Sequence, residues 1–87
     1  MAYSVDYKSS VARDIKKLDK SEIKRILNKL EQKLQRDPNV GEALKGAFAG
    51  LFRLRIGDYR AIYSKTRKGS LVLRIAHRKE AYRQKCP

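Results

Sequence analysis

At Leu51 the chain takes up a period of two and keeps it through two segments separated only by Gly57 and Asp58. Phe52, Leu54 and Ile56 alternate with Leu51, Arg53 and Arg55; Tyr59, Ala61 and Tyr63 alternate with Arg60, Ile62 and Ser64. Alternation of this kind assigns each set to one face of a strand. A two-residue Gly-X connection predicts a type II′ hairpin, because glycine takes the first turn position without strain. The turn then fixes the register. Ile56 lies opposite Tyr59, Arg55 opposite Arg60 and Arg53 opposite Ile62, so the arginines share one face while Phe52, Leu54, Ile56, Ala61 and Tyr63 share the other.

The remainder must cover that apolar face. Tyr3, Val5 and Tyr7 alternate with Ala2, Ser4 and Asp6, which predicts a short first strand. Val11, Ile15 and Leu18 recur at helical spacing, with Arg13, Asp14, Lys16 and Lys17 on the opposite side. Asp19 and Glu22 have the spacing of a capping box, and a second helix follows with Ile23, Ile26, Leu27, Leu30 and Leu34 as its buried stripe. Asp37-Pro38 ends it, since a residue before proline avoids helical geometry. The two helices form a hairpin in this reading. Residues 38–50 carry Gly41, Gly46 and Gly50 without a clear period and read as a loop or a short irregular turn of helix. After a basic turn from Lys65 to Gly69, Leu71, Leu73 and Ile75 alternate with Val72, Arg74 and Ala76 in a last strand, where Arg74 and Arg78 share the outward parity. The predicted fold is α+β in the order β-α-α-β-β-β, a helical hairpin packed on a small, mainly antiparallel sheet. With 87 residues, the span 1–87 is read as a single domain with one core.

Charge indicates what such a domain meets. Twenty-two Lys and Arg against nine Asp and Glu give a net charge of +13. Self-repulsion of that size favours an anionic partner. The excess is uneven: residues 1–50 hold eleven basic and seven acidic side chains, residues 51–87 eleven and two. The contact surface is therefore expected in the second half. A lone Cys86 has no partner for an internal disulfide, which fits a reducing compartment. The first twenty residues interleave charges with single apolar residues and contain neither an apolar signal core nor a membrane span, so the expectation is a cytoplasmic protein.

Like charges facing each other across paired strands cost stability, so Arg55 opposite Arg60 reads more readily as a phosphate clamp than as a structural device. Guanidinium groups offer planar paired donors that match phosphate oxygens and can stabilise a charged, pentacoordinate phosphorus. The plain alternative is that these arginines only solubilise an exposed sheet face. His77, Arg78 and Tyr82 follow the last strand; His77 could move protons or simply be structural, while Tyr82, in a cationic segment, could move protons or stack on a base. Tyr59 and Tyr63 share the parity of the core. The carboxylates Asp6, Asp14, Asp19, Glu22, Glu31, Asp37 and Glu42 are scattered through the first half, with no pair placed for metal binding or acid–base work. No glycine-rich phosphate loop and no Ser/His/Asp set is present.

The run from Leu51 through Arg53, Arg55, Gly57-Asp58-Tyr59-Arg60 to Tyr63, followed by His77-Arg78-Lys79-Glu80-Ala81-Tyr82, resembles the RelE/ParE toxin superfamily of bacterial and archaeal type II toxin–antitoxin modules. The likeness extends over nearly the whole chain, including the Tyr-Val-Tyr opening, the helical hairpin and the Leu44-Lys45-Gly46 segment. For a RelE-like member it implies an endoribonuclease that needs no metal or cofactor, enters the ribosomal A site and cuts mRNA by attack of the 2′-oxygen on the adjacent phosphorus. Arg53, Arg55 and Arg60 then resemble the phosphate-binding and transition-state-stabilising set, Arg78 the residue that assists the leaving group, and Tyr82 the one that stacks on or orients the nucleotide. The RelE pattern has lysines where this chain has Leu51 and Arg53. Leucine binds no phosphate, and arginine does not readily give up its proton. The general base is open between Tyr82 and His77. The resemblance also implies a RelB-like antitoxin that covers or distorts the cationic face in a hetero-oligomer. A ParE-like toxin that blocks DNA gyrase without catalysis is the second reading, and a nucleic-acid-binding module without toxicity the third.

Overall fold

A computed structural model describes residues 3–77 of the chain. The hairpin forms in the register that the Gly57-Asp58 turn dictates: β3 (Leu51–Ile56) pairs antiparallel with β4 (Tyr59–Lys65), with Ile56 opposite Tyr59, Arg55 opposite Arg60 and Arg53 opposite Ile62. Gly57 has φ +59 while no described residue other than glycine has a positive φ, the combination a type II′ turn requires.

β1 (Ser4–Tyr7) opens the chain, α1 (Ser9–Ile15) and α2 (Lys20–Arg36) follow, then a two-residue β2 (Glu42–Ala43) and a 3-10 turn at Gly46–Phe48; β5 (Gly69–His77) comes last. The five strands stand in the order β1-β5-β4-β3-β2, all neighbours antiparallel except β1 with β5. The core lies between α2 and one sheet face: Ile26, Leu30 and Leu34 meet Leu54, Ile56, Tyr59, Ala61, Tyr63, Val72 and Ile75, with Val11 added from α1. On the other sheet face none of Leu51, Arg53, Arg55, Arg60, Ile62 or Ser64 is buried. Binary patterning thus divides the sheet into a core side and a cationic side.

Three expectations need correction. The segment 38–50 holds the short turn of helix expected there, at Gly46–Phe48, but also an unexpected strand, since β2 pairs Glu42 with Arg53 and Ala43 with Phe52; two residues are too few to show a period. The capping box does not form. Asp19 stands at the N-cap without a side-chain hydrogen bond, and the Glu22 carboxylate instead accepts the Tyr59 hydroxyl at 2.5 Å. An exposed helix amide can turn to water, whereas the hydroxyl of a tyrosine only 8% exposed needs a protein partner. Finally, β5 does not alternate throughout. Val72 pairs with Tyr63 but Arg74 with Ile62, leaving Leu73 as an extra residue in a bulge. The bulge lets Val72 and Ile75, three residues apart, both face the core while Leu71 and Leu73 are half-buried.

β1 runs alongside only the first part of β5, ending with Tyr7 opposite Val72. Beyond that point α1 covers the edge. The Ser10 hydroxyl donates to the Leu73 carbonyl at 2.5 Å, and the Asp14 carboxylate accepts the Ile75 amide at 2.9 Å. Arg74 donates to the same carboxylate through Nε at 2.9 Å and Nη2 at 3.1 Å. Polar side chains here satisfy strand edge groups that a neighbouring strand would otherwise pair.

Candidate phosphate-binding face

The hairpin brings Arg55 and Arg60 into direct cross-strand opposition, and β2 brings Glu42 opposite Arg53 on the same face. Directly opposed residues have Cβ atoms roughly 4.5–5.5 Å apart. Two guanidinium groups rooted that close can reach the oxygens of one phosphate. Arg53 Nη2 donates to Glu42 Oε2 at 3.0 Å, a pair that is 35% and 72% exposed at its two side chains and so stays in contact with water.

These groups line an open depression of about 360 Å³ together with Lys33, Val40 and Leu54. Four cationic side chains face one carboxylate there. The depression follows the edge of β3 where β2 stops. Leu51 turns its carbonyl toward that edge, accepting the Leu44 amide at 2.9 Å. Backbone groups of alternate residues point to the same edge. Arg53 therefore pairs with β2, and Arg55, beyond its last rung, presents its own N–H and C=O to the depression.

The wall carrying Val40 and Glu42 is held from inside the core. The hydroxyl of fully buried Tyr63 donates to the Pro38 carbonyl at 2.7 Å and accepts the Gly41 amide at 2.9 Å. Lys65 Nζ donates to Asn39 Oδ1 at 2.6 Å and lies 4.7 Å above the Phe52 ring. Glycine at position 41 follows from this approach, because a Cβ there would sit 2.7 Å from Tyr63 Cε1.

Of the residues singled out in the sequence, the structure unites Arg53, Arg55 and Arg60. His77 lies apart: its partner in β4 is Tyr59, which faces the core, and the two rings meet edge-on at 5.0 Å. Its placement on the helix side follows from the register and sets it away from the face that carries Arg55 and Arg60. Arg78 and Tyr82 lie outside the described residues. Tyr59 and Tyr63 pack as their parity predicts. The hydrogen bond to Glu22, with burial and nearby acidic groups, pushes the Tyr59 phenol up to about 12, and burial pushes Tyr63 up. Neither phenol can serve as a base near neutrality.

Sequence reading missed Glu42 and Lys33. Glu42 looked like one of several scattered carboxylates until a two-residue strand placed it beside Arg53. Lys33 is an exposed residue of α2, and only the tertiary approach of that helix to the β3 edge brings it to the depression. Among the described residues, no three His, Cys, Asp or Glu side chains gather as a metal site, and no helix is long and apolar enough to cross a membrane.

Comparison with known proteins agrees with this architecture. Residues 5–82 match the family described as ParE toxin of type II toxin-antitoxin system, parDE. Toxin RelG of Mycobacterium tuberculosis is 31% identical over 87 residues, covering 97% of this chain and all of that protein. The toxin–antitoxin complex RelBE2 of the same organism contains a chain that superposes with a TM-score of 0.81 at 30% identity, over 90% of this chain and 93% of that one. The archaeal RelE–RelB complex of Pyrococcus horikoshii gives a TM-score of 0.67 at 28% identity, over 90% and 97%.

Proposed function

Because the chain belongs to the RelE/ParE superfamily and is a toxin of a type II toxin–antitoxin system, we propose that it acts as a ribosome-dependent, metal-independent endoribonuclease, cutting mRNA in the A site in the cytoplasm until a RelB-like antitoxin binds it in a hetero-oligomer. The observation that carries this reading is the opposition of Arg55 and Arg60 on the sheet face that points away from the core, beside Arg53 and a carboxylate.

In the proposed reaction Arg55 and Arg60 grip the non-bridging oxygens of the scissile phosphate and stabilise the charge that builds as the 2′-oxygen attacks. Glu42, oriented by Arg53, takes the proton from the 2′-hydroxyl, a role that arginine, which keeps its proton, cannot fill. The bond from phosphorus to the 5′-oxygen breaks and that oxygen takes a proton from water, leaving a 2′,3′-cyclic phosphate and a 5′-hydroxyl, while Glu42 returns its own proton to the solvent. Arg78 assists the departing oxygen and Tyr82 orients the nucleotide, as the family resemblance implies. His77 is not part of this set. Induced expression should stop translation and produce new 5′ ends inside translated transcripts. Full growth arrest with intact transcripts would defeat the proposal.

The second reading, inhibition of DNA gyrase without catalysis, draws on the ParE description of the matching family and on Leu51 standing where the RelE pattern has a lysine. Growth arrest with DNA-damage signalling and uncut mRNA would select it.

A further inference from the structure

We propose that the depression holds a second phosphate subsite, formed by Lys33 of α2 and the open edge of β3 at Arg55, which takes the phosphodiester next to the one gripped by Arg55 and Arg60. The inference rests on the RNA reading above and extends it to the path of the strand. The depression is not lined by the arginines alone: Lys33 of α2 and Val40 also line it. A single phosphate would use only part of such a lining. The rest offers an ammonium group, able to meet a phosphate as a point charge, and the Arg55 N–H that β2 leaves without a strand partner. Val40, 44% exposed, adds an apolar side chain to the same lining, suited to a ribose or base. Cations outnumber the lone carboxylate throughout, which favours a polyanion over an acidic peptide with fewer charges per unit length.

Lys33 is exposed on α2 and makes no core contact, so replacing it leaves the fold intact. The test measures fluorescence anisotropy of the full chain with a non-cleavable 2′-O-methyl oligonucleotide, alongside competition by uridine 3′-monophosphate. Lys33→Ala should weaken the oligonucleotide roughly fivefold and flatten its log–log salt dependence by about 0.7, the loss of one phosphate contact on a single strand. Binding of the mononucleotide should not change, and Lys33→Arg should restore the oligonucleotide. Arg55→Ala should weaken both ligands. Equal oligonucleotide affinity for wild type and Lys33→Ala would overturn the subsite while leaving the RNA reading in place. Lys33→Ala weakening both ligands alike would also overturn it, by putting Lys33 at the first phosphate. Failure of the wild-type chain to bind either ligand, with a glutamate-rich peptide bound instead, would overturn the subsite and the RNA reading together.

Discussion

Replacing Tyr63 by phenylalanine separates the anchoring of the site's wall from the packing of the core. The ring is fully buried, 5.5 Å from Phe52 in a stacked arrangement, and phenylalanine would fill the same space without a cavity. Only the hydroxyl is lost, with its bonds to the Pro38 carbonyl at 2.7 Å and from the Gly41 amide at 2.9 Å. Each such bond contributes about 0.5–1.5 kcal/mol net. The two together give a destabilisation of about 2 kcal/mol, which for a domain of this size lowers Tm by roughly 8–16 °C. The released segment carries Val40 and Glu42, so RNA cleavage should fall further than stability alone accounts for at a temperature where the variant is folded. Thermal unfolding followed by circular dichroism, with amide exchange at Gly41, measures both effects. A Tm within two degrees of wild type, together with an unchanged Gly41 exchange rate, would refute the claim that Tyr63 anchors this wall.

Four further outcomes follow from particular contacts. Ser70 Oγ is fully buried without a hydrogen-bond partner among the described residues, so Ser70→Ala should raise stability by about 1 kcal/mol in denaturant unfolding. Leu30→Ala, at a fully buried position of α2, should cost about 2–5 kcal/mol in the same assay. Tyr59 titrates at about 12 in the fold against an ordinary 10.0, so the native state holds its proton more tightly than the unfolded chain. Its contribution is complete below about pH 10 and fades as pH rises toward 12; Tyr59→Phe should flatten that part of the alkaline stability profile. Glu42→Gln should lower the cleavage rate while tightening binding of a non-cleavable RNA, because it removes the proposed base and one negative charge from the depression.

What the sequence could convey depended on how local the determining interactions were. A two-residue turn and strict alternation place every rung of the β3–β4 hairpin, and with it Arg55 opposite Arg60. The α2 stripe is equally local, since Ile26, Leu30 and Leu34 repeat at four-residue spacing. The bulge at Leu73 was not legible, because apolar residues on both sides of the strand conceal a slip of one position. Glu22 matched a capping pattern, but the competing partner, Tyr59, is distant in sequence and is brought near by packing. The same limit hid two of the five polar residues gathered at the site. Arg53, Arg55 and Arg60 declare themselves by parity, whereas Glu42 and Lys33 join them only through a two-residue strand and the tertiary placement of α2.

Incubation of the purified chain with ribosomes carrying a defined mRNA, followed by identification of the RNA termini, tests most directly whether the opposed arginines cut RNA. The account predicts a break within the A-site codon bearing a 2′,3′-cyclic phosphate and a 5′-hydroxyl, and at least a hundredfold slower reaction for Arg55→Ala and for Arg60→Ala with the fold retained, on the order of the loss of one transition-state donor. Uncut mRNA with the wild-type chain, or unchanged cleavage after both arginines are replaced, would contradict it.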